Sequence, residues 1–466
     1  MLACTAPFLV HAQAGDPVLK LSRNLSQAPG VDSATTSATG WSSDAARWVP
    51  GGDVCAQAAE PPWDRLTLGD ALAQSLCRHP GLRQAIADVA AQSANVDLGE
   101  ITLRPNWNAT LAYSSARNFN SSGSAGRTLE ASLGLSWALF DFGQRDASLR
   151  ESRLNLSAAM ASQGSAVLDA VRDLSKLYGD AVVTSSVLEA ATEAESTASQ
   201  TAAAAQARYE AQVGSQIDRL QAQTAMAQAT LTRTRAHSDW EVARANLVLA
   251  LGGDIEQPVR LAEWSRWIQT GDGLPPMSEL RQEAHDQHPR LRALKAQIDG
   301  LQARLDAVRA QSRGSISLSA SGGTSRNWGA AGSGNIPTTN AAVVASIPLF
   351  NGRESQALQA QVLAQKSARE AEFEAARRTV DSELWQARQA LLTSRQSLRA
   401  SELLLTSAES AYRVAQGRYR AGVGSMLELL NAQSSFASAR QERVRAMIEQ
   451  LTARTQLGLA LGRTSR

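Results

Sequence analysis

The chain has 466 residues, with 46 Lys+Arg against 44 Asp+Glu, 43 % hydrophobic content and 5 % aromatic content. A formal net charge of +2 removes the bulk electrostatic case for a nucleic-acid partner, and a mean hydropathy of −0.23 without any apolar run of about 18 residues excludes a transmembrane helix. Neither observation excludes a transmembrane β-barrel, whose alternating strands keep hydropathy low.

At the N-terminus, Ala12-Gln13-Ala14 fits a small-x-small signal-peptidase site. Residues 1–14 therefore read as a signal peptide; its short apolar stretch leaves open a start inside a longer one. Cys4 follows Leu2-Ala3 with no apolar region ahead of it, which disfavours a lipidation box. Residues 15–65 are Ser/Thr/Gly/Pro-rich and read as an extended periplasmic segment, with Trp41, Trp48 and Trp63 as anchors. After export Cys55 and Cys77 would remain in a compartment that permits a bridge. Two unpaired thiols, with Cys77 buried on a helix face, are the favoured expectation.

The rest of the chain is one unit written twice. His79-Pro80-Gly81-Leu82-Arg83 recurs as His288-Pro289-Arg290-Leu291-Arg292, and Leu139-Phe140 as Leu349-Phe350. Arg208-Tyr209 with Val213-Gly214-Ser215 recurs as Arg418-Tyr419 with Val423-Gly424-Ser425, and Leu249-Ala250-Leu251-Gly252 as Leu459-Ala460-Leu461-Gly462. Landmarks that keep register over such a distance mark a tandem duplication. The repeats span residues 66–252 and 275–466, joined by an equatorial linker at 253–274.

Each repeat opens with a helix, expected over Leu68–Leu103 and Met277–Ser312. Thr67 and Asp70 form the N-cap pattern of the first. Two alternating segments follow. Leu129, Ala131, Leu133, Leu135, Trp137 and Leu139 alternate with Glu130, Ser132, Gly134 and Ser136, the period-2 signal of a strand. Trp107 to Tyr113, Ile316 to Ala320 and Ala341 to Leu349 read the same way. The Gly/Ser/Asn-rich stretches Ala116–Arg127 and Gly322–Thr339 read as loops. Long helices are then expected over Gln144–Gln212 and Arg353–Ala421, each about 100 Å at 1.5 Å per residue. A Gly-Ser break and a shorter helix close each repeat. In the second repeat Leu384, Leu391, Leu398, Leu405, Tyr412 and Tyr419 recur every seven residues. Ala387, Ser394, Ser401, Ala408 and Ala415 follow three residues after the first five, a large-then-small coiled-coil seam. The first repeat carries a weaker seam, with Glu195 and Ala202 at matching positions.

Two strands per repeat are too few to close a barrel, which needs about eight. A trimer gives twelve and leaves room for an aqueous path. The fold class is therefore a mixed α/β membrane protein: a tandem-duplicated unit of long coiled-coil helices and two β-strands, expected to assemble as a homotrimer into a 12-stranded outer-membrane β-barrel on a periplasmic α-helical barrel.

From Leu66 to Gly462 the chain resembles the TolC family of outer-membrane efflux and secretion channels. The resemblance rests on the strand-to-helix segments Leu139-Phe140-Asp141-Phe142-Gly143 and Pro348-Leu349-Phe350-Asn351-Gly352, and on the two Arg-Tyr…Val-Gly-Ser helix tips. It implies a trimer that docks on a periplasmic adaptor (membrane fusion protein) and an inner-membrane pump, of the ABC transporter type, in contact with outer-membrane lipid. It also implies a periplasmic gate at the tips: Asp218 and Glu428, with Asn431 standing where a second acid is common. The S-x-x-D/E spacing of Ser215–Asp218 and Ser425–Glu428 equally fits capping boxes, with Gly214 and Gly424 ending the preceding helices in a left-handed conformation. Arg208, Tyr209, Arg418 and Tyr419 are candidate adaptor contacts, or else pack and compensate the helix ends.

No catalytic site, cofactor or metal site is expected. His285-x-x-His288 repeats a structural His-Pro step, Asp141-Phe142-Gly143 lacks the other kinase elements, and no phosphate-binding fingerprint occurs. The function expected is a passive exit duct for a protein toxin in type I secretion. The alternatives are the outer-membrane component of a multidrug efflux pump and a periplasmic coiled-coil scaffold without a pore.

Overall fold

A computed structural model describes residues 63–117, 125–262, 274–329, 332–350 and 352–463. The first repeat comprises α1 (Leu68–Arg78), α2 (Pro80–Ile101), β1 (Asn106–Arg117), β2 (Ala125–Phe140), α3 (Gln144–Glu210) and α4 (Gln216–Ala250). The second comprises α5 (Met277–Gln287), α6 (Pro289–Gln311), β3 (Ser315–Gly329), β4 (Gly332–Ser346), α7 (Glu354–Arg420) and α8 (Met426–Ala460). The order is identical in both. α3 and α7 are each 67 residues long, and α4 and α8 are each 35.

α1 starts where the Thr67 side chain accepts the Asp70 amide and the Asp70 carboxylate accepts the Thr67 amide, a complete capping box. It stops at His79, whose ψ of 121° is the extended conformation forced on a residue before proline. His288 before Pro289 has the same ψ. The single opening helix expected for each repeat is therefore two helices in both copies.

The chain divides into two compact units. One contains Ala87–Ser162 and Arg290–Arg377 and holds a four-stranded antiparallel sheet in the order β1-β2-β3-β4. The β2–β3 ladder joins the two repeats, and a bulge between Ala138 and Phe140 ends its regular register. The expected loop at Gly322–Thr339 is mostly strand: Gly322 and Gly323 pair with Leu133 and Ser132, and Thr338 and Thr339 pair back on them. Backbone ladders hold this segment, so its scarcity of apolar side chains costs little. Gly323 is required there, because a Cβ would stand 2.6 Å from the Ala131 carbonyl oxygen. Pro337 lies in β4, an edge strand of the sheet formed by one chain.

β2 passes to α3 through a clamp. Arg145 Nε donates to Asp141 Oδ2 (2.7 Å), Nη1 to the Thr102 carbonyl (3.2 Å) and Nη2 to the Ala138 carbonyl (2.6 Å). Asp141 also accepts from the amides of Gly143 and Arg145. Burial would raise the Asp141 carboxyl, but the hydrogen bonds and charge of Arg145, with the Gly143 amide, hold it below its ordinary value. Phe140 and Phe142 pack edge to face above this joint. In the second repeat Ser355 stands where Arg145 does, and Leu349 and Phe350 are 95 % and 90 % exposed. Asn351 lies outside the described residues.

The other unit contains the described residues of Gln163–Pro289 and Arg378–Arg466, with residues 63–86. Leu66, Leu72, Leu174, Tyr178, Leu247 and Leu251 form its main core, with Trp63 packed against them. The predicted linker adds a parallel bridge from Leu261 to Leu66. Tyr178 donates to the Leu66 carbonyl, and burial, aided by the charge of Asp70, pushes its hydroxyl up to about 12. The heptad seam is buried in this unit. Leu384, Leu391 and Leu398 lie inside, and so do Ala387, Ser394, Ser401, Ala408 and Ala415. The two buried serines donate to Leu391 and Leu398 carbonyls of their own helix, so they take a small-residue place without an unmet hydroxyl. Cys77 is disulfide-bonded, which overturns the unpaired state expected for it; its partner lies outside the described residues, as do Cys55, Trp41 and Trp48. Cys77 is also only half-buried on α1.

Candidate functional site: the helix tips and the apolar sheet face

Both tips are built alike. α3 ends at Glu210 and α7 at Arg420, and the amides of Val213 and Val423 return to the carbonyls of Arg208 and Arg418 (3.0 Å each). Left-handed backbone is needed two residues earlier than expected, at Gln212 (φ 60°) and Gly422 (φ 77°). Gly214 and Gly424 serve close approach instead: a Cβ on either would stand 3.0 Å from the Cβ of Arg208 or Arg418. Ser215 and Ser425 then cap α4 and α8, accepting the Asp218 and Glu428 amides at 3.1 Å.

The carboxylate half of the box is not used at the second tip. Glu428 Oε1 instead lies 3.1 Å from Arg418 Nε, with both side chains about half exposed. Asn431 is exposed one turn further along α8. Arg208 ties the tips to each other: its Nη1 donates to the Tyr419 carbonyl (3.3 Å) and its guanidinium lies 5.1 Å from the centre of the Tyr419 ring. Arg219 covers the Tyr209 ring at 4.6 Å. Burial pushes the Tyr419 hydroxyl up, against the pull of Arg208. Beneath them Ala202, Ala205, Ala222, Met426 and Leu429 form a small core. Arg208 and Tyr419 are thus parts of the helix-end packing, whereas Arg418 and Tyr209 keep exposed surface.

Sequence reasoning passed over four apolar side chains here. Val213, Ile217, Val423 and Leu427 are each more than half exposed around the two turns. An aliphatic residue inside a Gly-Ser turn was the available signal. His285 and His288 do not converge: His285 Nε2 lies 2.7 Å from Asp381 Oδ1, while His288 is buried at the break before α6.

The sheet has two unlike faces. The register puts Trp107, Ala109, Leu111 and Tyr113 of β1 beside Leu129 to Trp137 of β2, and these beside Leu318 and Ala320 of β3 and Ala341 and Val343 of β4. Leu111 is 76 % and Val343 65 % exposed, so among the described residues this face has no protein cover. The opposite face carries Asn108, Thr110, Ser132, Ser319 and Ser321. Polar on one side and apolar on the other is the pattern of a strand set between lipid and an aqueous lumen.

The chain matches the family described as Outer membrane efflux protein over residues 71–253 and 280–463. It is 31 % identical over 391 residues to Protein CyaE of Bordetella pertussis, covering 82 % of each chain. Among solved structures it is similar to the CmeC outer membrane channel of Campylobacter jejuni, at 16 % identity and a TM-score of 0.75 over 93 % of each chain. It is also similar to the open state of the MtrE outer membrane channel of Neisseria gonorrhoeae, at 20 % identity and a TM-score of 0.73, covering 85 % of this chain and 88 % of that one.

Proposed function

We propose that this chain, which belongs to the outer membrane efflux protein family and spans the outer membrane into the periplasm, is the passive exit duct of a type I secretion system for a protein toxin. The observation that carries this reading is the relative: identity with Protein CyaE is 31 %, against 16 % and 20 % with CmeC and MtrE.

In this reading three copies supply twelve strands, since each chain contributes four and leaves β1 and β4 as sheet edges. The tips form the periplasmic entrance. Glu428, held by Arg418, and Asp218 line it, and Asn431 is the uncharged place above. The exposed aliphatic residues at the turns, with Arg418 and Tyr209, face a periplasmic adaptor. Opening separates the tip helices, so the Arg208–Tyr419 contact is the one to be broken. The energy comes from an inner-membrane pump of the ABC type.

The test is a clean deletion strain with its complemented control, compared for secreted protein and for tolerance to a drug panel. Loss of one large secreted protein with drug tolerance intact is the expected result. Intact secretion with new drug sensitivity would make the duct an efflux component instead.

A further inference from the structure

The apolar sheet face is not uniformly apolar. At the end remote from α2 and α3 its register brings Arg127 opposite Trp328, and Arg326 between Leu129 and Asn335. Arg326 lies 5.4 Å from the Trp328 ring centre, a cation–π contact on the lipid side of the strand. The Thr324 hydroxyl donates to Asn335 Oδ1, and the Asn335 side-chain NH2 can donate to a further partner. Between these residues is a cavity of about 310 Å³, lined by Leu129, Ala131, Thr324, Arg326, Gly334 and Asn335. Its lining sets aliphatic side chains, Leu129 and Ala131, beside a guanidinium and an amide.

Height fixes what would meet this cavity. Leu129, the ladder partner of Arg326, lies eight residues along β2 from Trp137. At about 3.4 Å per residue and a tilt of about 40°, Arg326 stands roughly 20 Å above the Trp137 row, near the outer edge of a band about 25 Å tall. The helices leave the sheet from the Trp137 end, so the Arg326 end is the extracellular one. An arginine at that depth would cost free energy against hydrocarbon. It stabilises the membrane-inserted state if an anionic headgroup is beside it. Among the described residues this end of the apolar face holds Arg127 and Arg326 and no carboxylate.

We propose that Arg326 and Asn335 bind the phosphate of a phosphorylated glycolipid of the outer leaflet, whose first acyl chain fills the cavity over Leu129 and Ala131, with Arg127 as a second cation for the headgroup. The proposal rests on the outer-membrane location and not on the cargo. It is tested with the full chain in phosphatidylethanolamine vesicles, adding diphosphorylated lipid A, its phosphate-free form or inorganic phosphate, and counting lipid retained per chain by native mass spectrometry. Insertion is scored separately by protection from protease, so loss of the membrane location itself would be seen as such.

Wild type should retain lipid A, and Arg326→Gln should weaken retention about ten-fold or more, the effect of losing one charge-assisted contact. Asn335→Ala should weaken it less and Arg326→Lys should keep part of it, because a lysine keeps the charge but not the fork. Equal retention by inserted Arg326→Gln would overturn the proposal. So would equal retention of phosphate-free lipid, or displacement of lipid A by inorganic phosphate at about millimolar concentration, the affinity of a weak ionic contact.

Discussion

Replacing Arg145 by Ala removes the clamp between β2 and α3. The side chain makes one ion pair and two bonds to backbone carbonyls, and the exposures of Arg145 and Asp141 are 21 % and 12 %. At about 1 kcal/mol for each bond, modestly more for the charged pair and less for solvent screening, the loss is about 3 kcal/mol. It is not larger because Asp141 keeps the amides of Gly143 and Arg145 and is not left as a bare buried charge. The assay is denaturant unfolding of the membrane-inserted protein at several pH values. The Asp141 carboxyl lies below its ordinary value in the fold, so its contribution is complete above about pH 4 and is lost as pH falls through the folded value. The gap between wild type and Arg145→Ala should therefore be full at neutral pH and narrow in acid to the part due to the two carbonyl bonds. A gap under about 1 kcal/mol at pH 7, or one that does not narrow in acid, would refute the argument.

At the tips, Gly424→Ala should open the second turn at a cost of about 1–2 kcal/mol, since its Cβ would stand 3.0 Å from the Tyr419 amide nitrogen. Gln212→Gly should stabilise the first turn by up to about 1 kcal/mol by relieving a left-handed non-glycine; amide exchange at the tips reads both. On the seam, Leu391→Ala should cost about 3 kcal/mol and Ser394→Leu about 1–3 kcal/mol by overpacking, both seen as lowered unfolding midpoints. Glu428→Gln should leave stability within about 1 kcal/mol, because its pair with Arg418 is half exposed. It should nonetheless change single-channel conductance or cation block, and unaltered conductance and block would remove Glu428 from the gate.

The duplication and the seam were legible because both are written in side chains. A leucine every seventh residue with a small residue three places on has few other uses, and all three of Leu384, Leu391 and Leu398 are buried. The outer halves of β3 and β4 were not legible, because a ladder between Gly323 and Ser132 is carried by backbone groups that every residue possesses. The tip turns misled for a related reason. A glycine can serve a positive φ or a close approach, and only the coordinates separate Gly422, which does the first, from Gly424, which does the second. The Glu428–Arg418 pair closes across the turn, where an S-x-x-E spacing points to the cap alone.

The two repeats have also diverged in complementary ways. Where the second has Leu405 on its seam, the first has Glu195, whose carboxylate lies 2.7 Å from Arg233 on α4. Where the first has Arg145 locking the sheet to its helix, the second has Ser355 and a bare Leu349-Phe350. A partly exposed ion pair contributes at most about 1 kcal/mol, and where the second repeat buries Leu391 on its seam the first buries only Ala181, with less apolar surface. The first repeat is therefore held more firmly at its joint to the sheet, and the second more firmly along its coiled coil. The Arg208–Tyr419 contact joins the tips of these two unlike repeats.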